Sequence, residues 1–317
     1  MQSISDIKLL RNLTNESAHL ESLLDILKTI KLINESNNKN KKMKELLFGT
    51  AGIPISAKGF GTEEGIGEIR KLGLDAMELE FVRSINITKQ KAPQVKEAAE
   101  KSNVALTCHA PYFINLNSLE KAKFKASIGR ILNSARIANL CGAWSVCFHP
   151  GFYQKSTKEE AYKRIKNAIK EISGALKKEN NGIWLRPETT GKETQFGNVD
   201  ELLAISGEFD NVMPCVDFAH FHARTNGKYN SYKEFCEILG KIEKKLGRKG
   251  LENMHIHITG IAYGEKGEKH HLNLKDSDLK YKELLKALKD FKVKGIVISE
   301  SPNIEEDALL MKREYSK

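Results

Sequence analysis

Histidines and carboxylates dominate the side chains of this sequence that could carry out chemistry. Eight of the nine histidines lie on predicted strands near their ends or in the loops that follow: His109, His149, His220, His222, His255, His257, His270 and His271. Glu188, Asp217 and Glu300 also close predicted strands. Imidazole and carboxylate ligands suit zinc or manganese. Because this set exceeds what one ion can use, it predicts a multi-metal cluster, and such clusters hydrolyse phosphate esters.

The order of the secondary structure decides whether these side chains can meet. From Leu46 onward, short apolar runs alternate with amphipathic stretches, and the pattern predicts eight strand–helix units. The predicted strands are Leu46–Gly49, Ala76–Val82, Val104–His109, Trp144–His149, Ile183–Glu188, Val212–Asp217, Met254–Ile258 and Gly295–Glu300. Eight such repeats favour a closed parallel (β/α)8 TIM barrel, in which all strand ends meet at one mouth. An open doubly wound sheet is the alternative, but GTAGIP after the first strand lacks its glycine-rich phosphate fingerprint.

Residues 1–42 differ from the rest of the chain. Apolar residues recur at helical spacing up to Ile30, and the tract NESNNKNKK at 34–42 contains no apolar residue to bury. We therefore expect a short helical and flexible N-terminal extension over 1–42, followed by a barrel domain over 43–317.

Composition excludes several classes of protein. Hydrophobic residues make up 40% of the chain, yet no apolar run is long enough to span a membrane, and the N-terminus lacks the pattern of a signal peptide. The five cysteines show no CxxC spacing, so we expect a reduced, cytoplasmic protein without disulfides. We also expect a monomer. The net charge of +10 is compatible with a polyanionic partner.

Seven short motifs occur in order along the predicted barrel. They are HAPYFINL (109–116), FHPGFY (148–153), ETTGKETQFG (188–197), VDFAH (216–220), HIHITG (255–260), GEKHH (267–271) and ISESP (298–302). This ordered set resembles the endonuclease IV family of apurinic/apyrimidinic endonucleases. The resemblance implies a (β/α)8 barrel with three zinc ions; manganese stays the alternative metal on the donor chemistry alone. It also implies that the substrate is double-stranded DNA with abasic sites, cut on the 5′ side to leave a 3′-hydroxyl.

The resemblance also assigns the ligands. His109 and His149 match the first zinc, Glu188 is the catalytic carboxylate that bridges the first and second, and Asp217 and Glu300 belong to the second. On the seventh strand we choose His257 over His255, because His257 lies nearer the mouth. For the third zinc, His220 pairs with an acid and a histidine in the following loop, where the family has Asp-Arg-His. In-register matching selects Glu268 and His270, with His271 as the alternative.

The same resemblance places three residues against DNA. Tyr112 matches an intercalating tyrosine, Asn115 fits the accompanying pattern, and Arg83 aligns with an arginine that enters the base stack. Ordinary packing of the aromatic side chain is the competing interpretation. Cys147 and Cys215 alternate with His149 and Asp217, and we expect them to fill the barrel interior, a thiolate ligand being the alternative.

Two other functions fit parts of the pattern. A xylose-isomerase-like sugar isomerase or epimerase would use one or two divalent ions on the same barrel, with Glu188 and Glu300 for proton transfer. Such an enzyme would not need every histidine named here. A non-catalytic nucleic-acid-binding barrel would bind DNA without chelator-sensitive cleavage.

Overall fold

A computed structural model describes residues 43–317 of the protein, so the predicted extension over 1–42 lies outside the described residues. Its strands are β1 Leu46–Ala51, β2 Ala76–Glu80, β3 Ala105–His109, β4 Ser145–Phe148, β5 Gly151–Phe152, β6 Trp184–Pro187, β7 Gln195–Phe196, β8 Cys215–Asp217, β9 Met254–Ile258, β10 Gly260–Gly264, β11 Gly267–Leu272 and β12 Gly295–Ser299. Its α-helices are α1 Thr62–Lys71, α2 Ala92–Ser102, α3 Lys121–Leu140, α4 Lys158–Lys178, α5 Val199–Ser206, α6 Phe218–Arg224, α7 Tyr232–Leu246, α8 Arg248–Leu251, α9 Tyr281–Asp290 and α10 Glu305–Tyr315.

Eight of these strands form one parallel sheet in the order β6-β4-β3-β2-β1-β12-β9-β8. Its two outer strands approach each other, since Leu185 and Glu188 form β-bridges with Val212 and Cys215. The amide of Thr189 also donates to the carbonyl of Cys215 at 3.0 Å. The sheet is therefore nearly closed, and the predicted (β/α)8 barrel is confirmed.

The strands form because both of their faces are buried. The outward faces pack under amphipathic helices such as α4, whose first turn is closed by the capping box of Thr157 and Glu160. The lower interior of the barrel is filled by Trp144, Trp184, Ile296 and their neighbours. The buried guanidinium of Arg186 lies over the rings of Trp144 and Trp184 there, and the histidines and carboxylates of the mouth lie at the C-terminal ends of the strands.

Two elements near those ends differ from the sequence expectation. The chain after β8 turns at once into the short helix α6, because Oδ1 of Asp217 caps it by accepting the amide of His220 at 2.6 Å. The stretch after β9, expected as a loop, is instead the antiparallel hairpin β10–β11.

Candidate metal centre

Glu188 lies at the middle of the barrel mouth. It follows β6, its side chain is fully buried, and its amide donates to the carbonyl of Phe148 at 3.0 Å. Oε2 lies 3.2 Å from Nε2 of His109 and 3.1 Å from Nε2 of His149. Oε1 lies 3.2 Å from Nδ1 of His220 and 3.3 Å from Nδ1 of His257. The two oxygens of one carboxylate therefore face different pairs of imidazoles.

Around this carboxylate the structure gathers three groups of ligand atoms, each group lying within 4.8 Å. The first group is His109, His149 and Glu188; the second is Glu188, Asp217, His257 and Glu300; the third is His220, Glu268 and His271. Glu188 belongs to two of them, so it occupies the position of a bridging carboxylate. Eight of the nine side chains that the sequence assigns to metal are in these groups; the exception is His270.

The donor set and the unpaired atoms both fit divalent metal ions. Oδ2 of Asp217 and Oε2 of Glu300 are buried and accept no hydrogen bond from residues 43–317. Buried carboxylate oxygens are costly unless they are paired or bound to a metal. Histidine and carboxylate ligands with free positions are typical of catalytic zinc sites.

Backbone carbonyls orient three of the histidines toward the centre. Nδ1 of His109 lies 2.8 Å from the carbonyl of Ala110, and Nδ1 of His220 lies 3.1 Å from that of Thr189. Nδ1 of His271 lies 3.2 Å from the carbonyl of Glu300. Because a carbonyl only accepts, each contact favours the proton on Nδ1 and leaves Nε2 as the ligand atom.

The hairpin β10–β11 decides which histidine completes the third group. Its register shifts between Ala262 and Tyr263, whose partners are His270 and Glu268, so Lys269 is an extra residue in β11. This bulge interrupts the strict alternation of side chains and lets Glu268 and His271 face His220 together. The imidazoles of His220 and His271 lie 5.6 Å apart.

The structure therefore brings His271, the alternative kept on the sequence, into the third group in place of His270, the first choice. Within the described chain, His270 joins no group of ligand atoms, and its side chain is exposed. The tip of the hairpin is held against the loop after β6, because the amide of Glu268 donates to the carbonyl of Gly191 at 3.0 Å. Gly267 there has φ +85°, and a side chain on it would collide with that carbonyl.

The buried charged groups of the centre shift one another's pKa values. Burial works against the charged form of His109, but hydrogen bonding to Glu188 and its charge outweigh burial and raise the pKa of His109 to about 10. Burial acts to raise the pKa of Glu188, yet His149 and His257 hold that pKa well below its usual value. Burial raises the pKa of Asp217 well above its ordinary value, and the charges of Glu300 and Glu188 add to this effect. A bound cation would offset the repulsion between these crowded carboxylates.

Sequence reasoning missed two carboxylates that approach the centre from β2. Glu78 is fully buried, and its oxygens lie 3.0 Å from Nε2 of His255 and 2.9 Å from Nε2 of His257. Burial opposes its charge, but the two histidines hold the pKa of Glu78 well below its usual value. Burial and the charge of Glu78 raise the pKa of Glu80 to about 8. The available signal was their alternation with Met77 and Leu79, which puts both on one face of the strand.

Of the three residues expected to contact DNA, two are exposed and one is half-buried. Tyr112 is 59% exposed in the loop after β3, and Arg83 is exposed after β2. Asn115 is half-buried, and its Oδ1 accepts the amides of Asn117 at 3.0 Å and Phe152 at 3.3 Å. Asn115 therefore ties two mouth loops together.

The two interior thiols are fully buried, as expected. The thiol of Cys147 donates to Oε2 of Glu188 at 3.1 Å. Cys147, Cys215 and His257 also form a compact group of ligand atoms, as the alternative of a thiolate ligand would require.

Fold and centre together define a (β/α)8 barrel with clustered histidines and carboxylates at the C-terminal ends of its strands. Residues 66–315 match the family described as xylose isomerase-like TIM barrel, and the chain belongs to that family. No helix among residues 43–317 is long and apolar enough to cross a membrane.

Relatives and solved structures add detail. The chain is 46% identical over 272 residues to an uncharacterized protein of Methanocaldococcus jannaschii, covering 86% of this chain and 97% of that one. It is 26% identical over 206 residues to the probable endonuclease 4 of Mycoplasma genitalium, covering 62% and 67%. A D-tagatose 3-epimerase-like protein matches with TM-score 0.65 at 20% identity, covering 84% and 97%. Endonuclease IV from Thermus thermophilus matches with TM-score 0.63 at 18% identity, covering 85% and 97%. At these identities the structural matches show the fold alone.

Proposed function

We propose that this protein is a metal-dependent DNA repair endonuclease that hydrolyses the phosphodiester bond 5′ to abasic sites in duplex DNA. The observation that carries the proposal is the third group of ligand atoms, His220, Glu268 and His271, beside two groups that share Glu188. Three adjoining groups accommodate three ions, zinc being the ion best suited to these ligands. The similarity to probable endonuclease 4 proteins points to the same chemistry.

The residues of the chain would divide the work as follows. His109 and His149 would hold the first ion, Asp217, His257 and Glu300 the second, and Glu188 would bridge the two. Bound divalent ions supply an activated water and neutralise charge on phosphate oxygens. The part of Glu188 is to set the spacing of the first two positions. The third group lies beside them at the same mouth, since Nδ1 of His220 lies 3.2 Å from Oε1 of Glu188.

The rim of the mouth suits a nucleotide that has left its duplex. Tyr112 and Phe113 are 59% and 64% exposed, and Leu119 on the same loop and Phe152 on β5 are also exposed. Exposed aromatic side chains can stack in the gap that an extruded abasic nucleotide leaves. Arg83 is exposed after β2, on the same side of the barrel, where a guanidinium can contact DNA. The excess of basic residues in the chain favours association with a polyanion.

A sugar epimerase is the second candidate. The D-tagatose 3-epimerase-like structure has the same barrel fold, and Glu188 and Glu300 both lie 3.3 Å from Nδ1 of His257 through their Oε1 atoms. Two carboxylates around one ion would suffice for proton transfer on a small sugar. Such an enzyme has no need of the third group of ligand atoms. We therefore place the endonuclease first.

The test uses the full chain, reconstituted with zinc, and a duplex carrying one tetrahydrofuran abasic analogue. We expect a single incision 5′ to the analogue, a 3′-hydroxyl product that a polymerase extends, and loss of incision with chelator. About three zinc ions per chain should accompany activity. Epimerisation of a ketose by the same preparation, without incision, would overturn the proposal in favour of the epimerase. Tight DNA binding without any chelator-sensitive cut would instead make the protein a non-catalytic DNA-binding barrel.

A further inference from the structure

A fully buried ion-pair chain lies directly beneath the metal centre. Glu78 on β2 reaches across the barrel interior to β9, with its two oxygens 2.9 Å from Nε2 of His257 and 3.0 Å from Nε2 of His255. All three side chains are completely buried. Within residues 43–317 neither oxygen of Glu78 accepts an aligned hydrogen bond, so proximity and charge define both contacts.

His257 is oriented differently from three other histidines of the centre. His109, His220 and His271 each turn Nδ1 toward a backbone carbonyl, although Nδ1 of His220 also lies 3.2 Å from Glu188. His257 turns Nδ1 toward Glu188 and Glu300, at 3.3 Å from each, and turns Nε2 away from the mouth. On that far side Nε2 faces a carboxylate, Glu78, at 2.9 Å, where the others face a carbonyl.

A ligating histidine needs a defined tautomer. With Nδ1 as the ligand atom, the ring proton must stay on Nε2, and a partner that only accepts holds it there. A carboxylate does this more strongly than a carbonyl and makes the imidazole a better ligand, because its negative charge favours electron donation from the ring.

We propose that Glu78 is the positioning residue of the metal centre: it holds the proton of His257 on Nε2 and so presents Nδ1 to the ion that Glu188, Asp217 and Glu300 would share. This inference rests on the proposed ligand role of His257. Glu78 takes no part in the three groups at the mouth, and it forms a further compact group of potential ligand atoms with His255 and His257 beneath them.

His255 holds Glu78 in position from the other side. It faces the second oxygen of Glu78, and its own Nδ1 lies 3.2 Å from the hydroxyl of Ser145. The chain from Ser145 through His255 to Glu78 therefore anchors the carboxylate on its far side. This explains why a histidine is buried one layer below the mouth, where an apolar side chain would pack more cheaply.

Zinc affinity of the full chain tests the proposal without using DNA. We expect Glu78→Gln to weaken the affinity of at least one zinc about 10–100-fold, measured by competition with a chromophoric chelator, with the ion count at saturating zinc unchanged. Glu80→Gln is the matched control, because Glu80 lies on the same strand and face as Glu78, whereas the ion pairs with His255 and His257 are made by Glu78. Its zinc affinity should stay within about twofold of the parent.

Two results would overturn the proposal. Equal affinities of the two variants would show that Glu78 does not position a ligand. Loss of one whole ion from Glu78→Gln at saturating zinc, with the others held normally, would make Glu78 itself a ligand of an additional buried ion.

A second measurement needs no variant and guards against a Glu78→Gln protein that does not fold. Long-range proton–nitrogen NMR correlations of the zinc-loaded parent chain report the tautomer of each histidine. We expect His257 to carry its proton on Nε2, whereas His109, His220 and His271 carry theirs on Nδ1. A proton on Nδ1 of His257 would contradict the proposal, even if the loaded protein cuts abasic DNA. Conversely, a protein that does not cut DNA could still be tested by its zinc affinity and its histidine tautomers.

Discussion

Nε2 of His149 lies 3.1 Å from Oε2 of Glu188, although His149 follows β4 and Glu188 follows the next strand of the barrel, β6. The parallel pairing of these strands sets Phe148 opposite Pro187, so the residues that follow leave the sheet at the same height. Every other member of the three ligand groups converges on this level of the mouth. The register of the barrel strands therefore sets the spacing of the first two ligand groups, whereas the third depends on α6 and the β10–β11 hairpin.

Replacing Glu188 with Gln should abolish incision while leaving DNA binding intact. The amide keeps the size of the side chain but loses the charge that faces four imidazoles. Loss of a residue that only supports a metal ligand lowers metal affinity or activity about 10–100-fold, so loss of the bridging carboxylate should lower the incision rate more than about 100-fold. Incision under single-turnover conditions and an electrophoretic binding assay measure the two effects. Near-normal turnover by this variant would remove Glu188 from the catalytic role.

The neighbouring histidines of β11 form a matched pair of variants. His271→Ala should lower the zinc count at moderate zinc concentration and reduce incision, because His271 faces His220 and Glu268. His270→Ala should keep the zinc count, since His270 is exposed on the same hairpin. Metal quantification after gel filtration compares the two. The reverse outcome would restore the in-register assignment of His270.

Strand ends were predictable from the sequence because closure of a barrel brings every C-terminal end to one mouth, whatever the loops do. That is why His109, Glu188, Asp217 and Glu300 lie where the sequence places them. The bulge at Lys269 was not predictable in the same way. A single extra residue in a hairpin changes which of two adjacent histidines faces inward, and no local pattern in GEKHH marks it.

Glu78 was missed for a different physical reason. In a sheet with one wet face, alternating Met-Glu-Leu-Glu indicates that the glutamates face solvent. In the barrel that face points inward, and its upper layers are polar because they surround the candidate metal centre. Glu78 is buried because it faces His255 and His257 on β9, and β9 lies far along the chain from β2. The local sequence around Glu78 does not show these contacts.

Metal loading should release protons, and metal affinity should rise with pH. The pKa of His109 in the metal-free protein is raised to about 10 by Glu188, so at neutral pH its Nε2 carries a proton that an ion must displace. The sign is fixed by this upward shift: the His109–Glu188 ion pair stabilises the metal-free fold below about pH 6.5 and is lost as the pH rises through about 10.

Zinc titrations in buffers of different ionisation enthalpy measure the released protons. We expect a net release of protons near pH 7, and weaker zinc binding at about pH 6 than at about pH 8. Binding that is independent of pH across this interval, with no proton release, would contradict the raised pKa of His109.

Tyr112→Ala should weaken binding to abasic duplex more than binding to intact duplex. The ring is 59% exposed, so its removal leaves no buried cavity and should change stability little. Stacking of one aromatic on a base contributes about 1–3 kcal/mol, which corresponds to roughly 5- to 150-fold in affinity. Fluorescence anisotropy with both duplexes measures the difference. An equal loss on the two duplexes would mean that Tyr112 does not recognise the lesion.

Asn115 separates a structural role from a DNA contact. Its Oδ1 accepts the amides of Asn117 and Phe152, and thereby joins the loop after β3 to the strand β5. Asn115→Ala removes both hydrogen bonds and should lower the free energy of unfolding by about 1–2 kcal/mol. Asn115→Asp keeps an oxygen in the same place and should retain that stability, although its added charge should weaken DNA binding. Thermal unfolding of the two variants decides the matter: an Asn115→Ala protein as stable as the parent, but weaker on abasic DNA, would return Asn115 to the DNA interface.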